Sequence, residues 1–393
     1  MKYNFDEIID RKNTQAVKLE RCNALFGTED VLPLWVADMD FRTPDFILNA
    51  IKERLEHPIL GYSMLPKNFF DLTKNWIESH HQWELQKQWI GFLPGIVPGL
   101  SFGIQTFSNI GDEVIIQPPV YYPFIDVVRK NNRQLVYNQL KLVDGKYEMD
   151  FDDLESKITS KTKLLILCNP HNPGGRVWSK ETLIQLANIC SKHNITVISD
   201  EIHSDMVHNG FTHTPFASVS ETAANISVTF MAPSKTFNMP ALITASYIIP
   251  NAELRASFAY FLEKSDLTGG NVLGYAATVA AYQYGEQWRT EMLQYVQKNI
   301  DYVMEFMHQN IPQITPMLPE ASFLIWLNCK NLGMETDDLH KFVAEKAGLG
   351  LNKGSIFGPG GEYHLRINVA CPHAVIVQAM QQLQGAINNI VNN

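Results

Sequence analysis

Basic residues are few and nowhere gathered: 32 lysines and arginines stand against 41 aspartates and glutamates, a formal net charge of −9. No helix face collects them, so the chain lacks the positive field that a nucleic acid partner would require. Long apolar runs are missing too. None approaches the length that spans a bilayer, and the first ten residues lack the apolar stretch of a signal peptide. A cytoplasmic protein without membrane contact is the expectation. The five cysteines, Cys22, Cys168, Cys190, Cys329 and Cys371, are odd in number and never spaced as C-x-x-C. That argues against a disulfide framework or a structural zinc site, and most are expected to be buried small apolar groups. No His/Cys/Asp/Glu cluster has metal-ligand spacing, and His80-His81 reads as a solvated helix end. Internal repeats, low-complexity tracts and a nucleotide-type P-loop are also absent.

What remains suits small-molecule partners. The chain has 393 residues, 45% hydrophobic and 19% charged, enough for a large core and more than one domain. Four short apolar segments, at residues 113–117, 163–168, 195–199 and 227–231, read as strands of a sheet covered on both faces. Between the second and third, Ser179 is a helix N-cap, and Leu183, Ala187 and Cys190 share one face of the helix, giving a βαβ unit. Thr43-Pro44-Asp45 reads as N-cap, N1 proline and acidic first turn of a helix running to about Glu56. A second helix carries Phe69, Leu72, Trp76 and Ile77. From about residue 290 a long helical stretch, a strand at 322–327, a strand at 363–369 and a terminal helix form a second, smaller domain.

Each apolar strand ends in a loop of chemically capable side chains. These are Tyr121-Tyr122, Asn169-Pro-His-Asn-Pro-Gly-Gly175, Asp200-Glu-Ile-His203 and Lys235. Lys235 stands among Ser234, Thr236 and Asn238 where parallel sheets open their ligand crevice. A lysine desolvated there stays nucleophilic; the plainer alternative is a strand-end lysine reaching for solvent. Gly91-Phe-Leu-Pro-Gly-Ile-Val-Pro-Gly-Leu-Ser-Phe-Gly103 has the form of a strand end, a glycine turn and a helix start. The amides of Ile96 and Val97 could there face an anion. Arg366 alternates with Leu365 and Ile367 and points to the opposite face.

Read together, these loops resemble the fold-type I pyridoxal-phosphate (PLP) enzymes of the class I/II aminotransferase superfamily, over nearly the whole chain. The segments Trp35-Val-Ala-Asp-Met-Asp-Phe41, Gln117-Pro-Pro-Val-Tyr-Tyr-Pro-Phe124, Asp200-Glu-Ile-His-Ser-Asp205 and Ala232-Pro-Ser-Lys-Thr-Phe-Asn238 resemble its MalY/PatB cystathionine β-lyase branch. The resemblance implies an α/β fold with a mostly parallel seven-stranded sheet and a smaller α+β domain built from both chain ends. Its division would be a segment 1–47 joining the small domain, a PLP-binding domain 48–288 and a small domain 289–393.

It also implies roles. Lys235 would be the Schiff-base lysine and proton shuttle, and Asp200 the partner of the pyridine nitrogen. Asn172 would hydrogen-bond the ring's phenolic oxygen, and Tyr121 would stack on its face. Alone, Asp200 could be a helix cap, Asn172 a turn residue and Tyr121 a core aromatic. His203 stands where many aminotransferases have a tyrosine near the ring oxygen. The phosphate would sit on the Ile96 and Val97 amides and the Ser234 hydroxyl, with Tyr62 of a neighbouring subunit. Tyr62 taken alone is a loop tyrosine. The implied assembly is a homodimer with shared sites. Arg366 would take the substrate α-carboxylate, with Ala37 and Tyr121 as further substrate contacts; its alternative is an interdomain ion pair. Many relatives follow the lysine with a phosphate-binding arginine, and Pro240-Ala-Leu-Ile-Thr244 here offers none. Three activities fit the resemblance: a β-lyase of cysteine S-conjugates, an aminotransferase, and a non-catalytic regulator, the last disfavoured because Lys235 and Asp200 are both present.

Overall fold

The computed structural model of the protein describes residues 1–391. Its centre is a seven-stranded sheet of β1 (Ile90–Leu93), β2 (Glu113–Ile116), β3 (Gln134–Tyr137), β4 (Thr162–Cys168), β5 (Thr196–Asp200), β6 (Ser227–Met231) and β7 (Ala245–Ile248). The spatial order is β1-β7-β6-β5-β4-β2-β3. β2 through β6 pair in parallel, while β7 runs antiparallel to both its neighbours. β6 is buried along its whole length and β4 and β5 nearly so, as their largely apolar sequences suit strands covered on both faces.

The helices follow from capping and spacing. Those used below are α1 (Asp45–Glu56), α2 (Phe69–His81), α3 (Ile96–Phe107), α4 (Pro123–Lys130), α5 (Lys180–Lys192), α6 (Val272–Tyr284), α7 (Glu286–Asn310), α8 (Thr336–Glu345) and α9 (His373–Val391). The Ser179 hydroxyl accepts from the Thr182 amide at 3.1 Å and starts α5, whose Leu183, Ala187 and Cys190 are buried. α1 corrects one expectation. Pro44 itself occupies the N-cap, without a side-chain cap, and the Thr43 hydroxyl donates instead to the Asn238 carbonyl. Tertiary contact outcompetes the local cap because Asn238 also fastens the chain at Met39 and Phe41. A second correction concerns α2. His81 is buried rather than solvated, its Nε2 3.1 Å from Asp205, a carboxylate that also accepts from Trp76 and Thr236. The α2 stripe that includes Trp76 and Ile77 turns His81 inward with it.

A second sheet holds β8 (Thr315–Met317), β9 (Leu324–Asn328), β10 (Asn352–Lys353) and β11 (His364–Asn368), ordered β8-β9-β11-β10. Leu365 and Ile367 enter a core with Met292, Val296, Ile300 and Ile376, so α7 and α9 cover one face. Arg366 faces the other way, paired in register with Trp326 and Asn352. Residues 32–33 pair in parallel with 349–350 and tie the beginning of the chain to its last third. All five cysteines are free and buried. No helix among the described residues is long and apolar enough to cross a membrane.

Candidate active site

After β6 the backbone leaves the sheet edge and sets Lys235 half-buried beneath the segment 35–41. Its Nζ donates to the Ala37 carbonyl at 2.5 Å. Burial lowers the amine from its ordinary value to about 8; Asp38 opposes that shift, Arg366 adds to it, and Asp200 opposes it. An amine in that range is available unprotonated near physiological pH, as a nucleophile or base must be.

Lys235 lines a cavity of about 350 Å³ at the carboxyl edge of the sheet, together with Ala37, Ile96, Val97, Tyr121, Asn172, Asp200, His203 and Ser234. Nine of the eleven residues singled out in the sequence thus share one space. Asp200, at the end of β5, is buried, and burial raises its carboxyl to about 7. It caps no helix: the Ile202 amide donates to it at 3.1 Å, and the next helical turn begins only at Ser204. A buried carboxylate of this kind favours a cationic partner brought into the cavity. The Nδ1 of His203 is buried without a hydrogen-bond partner. Burial, then the charges of Lys235 and Arg366, push its ring down to about 3, so the imidazole is neutral. Burial drives the Tyr121 phenol upward, with Tyr122 adding to the shift.

The opposite end of the cavity is the start of α3. Gly95 takes a φ of 101°, which side chains rarely tolerate, and so aims the first turn of the helix at the cavity. Amides of that turn have no partner within the helix. Ser234 and Thr244 add hydroxyls, while Pro240 and Ile243 supply apolar groups; apart from Lys235, no lysine or arginine lines the cavity among the described residues.

Two residues lie outside the lining. Arg366 is 3% exposed and reaches the cavity through Asn172, donating to its Oδ1 at 2.9 Å. Its other terminal nitrogen donates to the Trp35 carbonyl at 3.0 Å and to Asn352 Oδ1 at 2.5 Å, and its plane lies 4.9 Å from the Phe357 ring centre. Nε is buried and unpartnered. Burial pulls the guanidinium down to about 10, and no carboxylate pairs with it among the described residues. An interdomain ion pair is therefore not what holds it. Tyr62 projects fully into solvent on the irregular segment after α1 and touches no part of the cavity.

Sequence reasoning passed over Asp38, Cys168, Ile202 and Asn352. Asp38 and Cys168 sat inside quoted segments but carried no distinctive spacing. Asn352 comes into play only through strand pairing with Arg366.

Similarity to known proteins agrees with this geometry. The chain is 42% identical over 386 residues to cystathionine beta-lyase PatB of Bacillus subtilis, covering 98% of this chain and 100% of that one. Cystalysin of Treponema denticola, a structure containing PLP, superposes with a TM-score of 0.95 at 34% identity, covering 99% of this chain and 100% of cystalysin. The PLP-bound C-S lyase of Staphylococcus hominis gives 0.90 at 34% identity, covering 98% and 99%. The model for aminotransferase class I and II matches residues 29–383, and the chain belongs to that family.

Proposed function

We propose that this protein is a PLP-dependent carbon-sulfur β-lyase acting on L-cystathionine or related cysteine S-conjugates. It releases a thiol (homocysteine from cystathionine), pyruvate and ammonia. The observation that carries the reading is a buried Arg366 without an acid partner, one hydrogen bond from a cavity where Lys235 is poised near pH 8. The full-length similarity to PatB and to C-S lyases selects elimination within the family.

The residues present fit the cofactor. Asp200, buried and short of a cation, suits a protonated pyridine nitrogen. Asn172 and the unpartnered His203 Nδ1 suit the ring's phenolic oxygen, and Tyr121 suits its face. The α3 amides of Ile96 and Val97 with Ser234 suit the phosphate. Bound PLP supplies the sink for the electron pair left when the substrate's Cα–H bond breaks. Lys235 holds the cofactor and removes the Cα proton. Arg366 orients the substrate by its carboxylate, with Ala37 and Tyr121 alongside. Elimination then needs a thiolate leaving group at Cβ and no second substrate. Tyr62 of a second copy completes the phosphate site, which makes the working unit a homodimer, and the protein acts in the cytoplasm.

The deciding assay omits any 2-oxo acid. L-cystathionine is expected to yield pyruvate and free thiol over many turnovers per site. A single turnover that stops until 2-oxoglutarate is added would instead establish an aminotransferase.

A further inference from the structure

The reaction above accounts for neither Asp205 nor Thr236, although the two join one another beside the Lys235 turn. Asp205 lies in the turn Ser204–Met206, two residues after His203, and is 5% exposed. Three buried side chains converge on its carboxylate. Trp76 Nε1 lies 3.1 Å from both oxygens, His81 Nε2 lies 3.1 Å from Oδ1, and the Thr236 hydroxyl donates to Oδ2 at 3.0 Å. A carboxylate accepts without needing to donate, so it can serve all three at once. The main chain at Asp205 is held as well, because Arg289 of α7 donates from Nε to its carbonyl at 2.7 Å.

Thr236 follows Lys235 directly. The turn that carries both closes on itself, with the Phe237 amide donating to the Pro233 carbonyl and the Met239 amide to that of Ser234, each at 3.0 Å. Asn238 fastens one end of this turn to Met39 and Phe41, and Thr236 fastens its middle to Asp205. Asn238 thus acts from the segment that covers Lys235, whereas Asp205 acts from the turn that follows His203. Lys235 and His203 both line the cavity, and Asp205 does not. A lysine stem is flexible, so Nζ is placed only as well as the main chain beneath it. The geometry points to Asp205 as a positioning residue for Lys235: through the Thr236 hydroxyl its carboxylate locks the Lys235 main chain to the turn beside His203, and so keeps Nζ where the cofactor's aldehyde and the substrate's Cα proton arrive. The inference rests on Lys235 being the residue that holds the cofactor.

The test is the rate at which the full chain, stripped of cofactor, captures added PLP on Lys235. In capture a neutral Nζ bonds to the aldehyde carbon and gives up two protons to its oxygen, which leaves as water. Timed borohydride reduction and peptide mass spectrometry read the rate, and calorimetry gives each variant's melting temperature. Thr236→Val keeps the size and removes the hydroxyl, so capture should slow by about tenfold to hundredfold, the cost of a misplaced reacting group. Thr236→Ala, which adds no atom, should slow it alike, and Thr236→Ser should restore the parent's rate. His81→Leu takes a partner from the same carboxylate but leaves the Thr236 bond; it should melt lower than the parent yet capture PLP as fast. Asp205→Ala with Thr236→Val should be no slower than Asp205→Ala alone, since both break one bond. Parent-like capture in Thr236→Val and Thr236→Ala, an equal slowing in Thr236→Ser or His81→Leu, or additive losses in the double variant overturns the proposal. A parent chain labelled on another lysine, or not at all, would overturn the underlying reading instead.

Discussion

Arg366 shows how far a single residue can be interpreted from its surroundings. Breaking a buried ion pair leaves an uncompensated charge that costs several kcal/mol, yet here a buried guanidinium keeps only neutral acceptors. A carboxylate brought by the proposed substrate would supply the missing anion. Arg366→Lys loses the planar two-point donor, so kcat/KM for L-cystathionine should drop roughly tenfold to hundredfold, the worth of a charge-assisted hydrogen bond. A substrate analogue lacking the α-carboxylate should be indifferent to the change; equal losses on both would remove the assignment. Asp200 makes a prediction about pH. Its carboxyl titrates at about 7 in the folded protein, above the unfolded value near 3.9, so the folded state holds the proton more tightly. Stability of the cofactor-free protein therefore declines as pH rises from about 4 to about 7 through this group, by on the order of 4 kcal/mol at most. Asp200→Asn removes the penalty: the cofactor-free variant should melt higher than the parent at pH 8 and no higher at pH 4, as followed by calorimetry.

Among the elements, the passage between β10 and β11 sets Arg366 by close packing. A Cβ on Gly354 would lie 2.2 Å from the Gly361 carbonyl and 2.5 Å from that of His364. Both are main-chain atoms that cannot rotate away, so Gly354→Ala should destabilise by about 1–3 kcal/mol. Since Asn352 of β10 pairs in register with Arg366, the same variant should also weaken substrate binding. Gly385 is the contrast. It sits within α9, exposed, with nothing near its added Cβ, and Gly385→Ala should stabilise by about 0.5–1 kcal/mol. Thermal melting of the two variants checks both signs.

At the scale of the molecule, the irregular segment after α1 exposes Ile59, Leu60, Tyr62 and Met64 together, at 66, 63, 113 and 92%. A row of bare apolar side chains suits burial against a second copy. Should that copy receive Tyr62 into its phosphate site, Tyr62→Phe and Lys235→Ala proteins, each crippled alone, will restore activity when mixed. Only mixed dimers carry one intact site, so recovery tops out at about a quarter of the parent's. Verified subunit exchange without any recovery would rule out a shared site.

The sequence alone determined the layers and the strand ends, because largely apolar runs are driven into the interior and a Ser179-type cap is a local interaction. It also put Asn172, Asp200 and Lys235 in strand-end loops, where the structure has them line one cavity, since residue type and order survive without coordinates. Thr43 and His81 were misjudged for one reason: a local signal was outweighed by partners more than 100 residues away, Asn238 and Asp205. Arg366 without an acid, the side chains gathered on Asp205 and the seating of Lys235 under Ala37 were decided only by tertiary structure. Each depends on which groups are excluded from reach as much as on which are present, and exclusion is a property of packing that no linear pattern records.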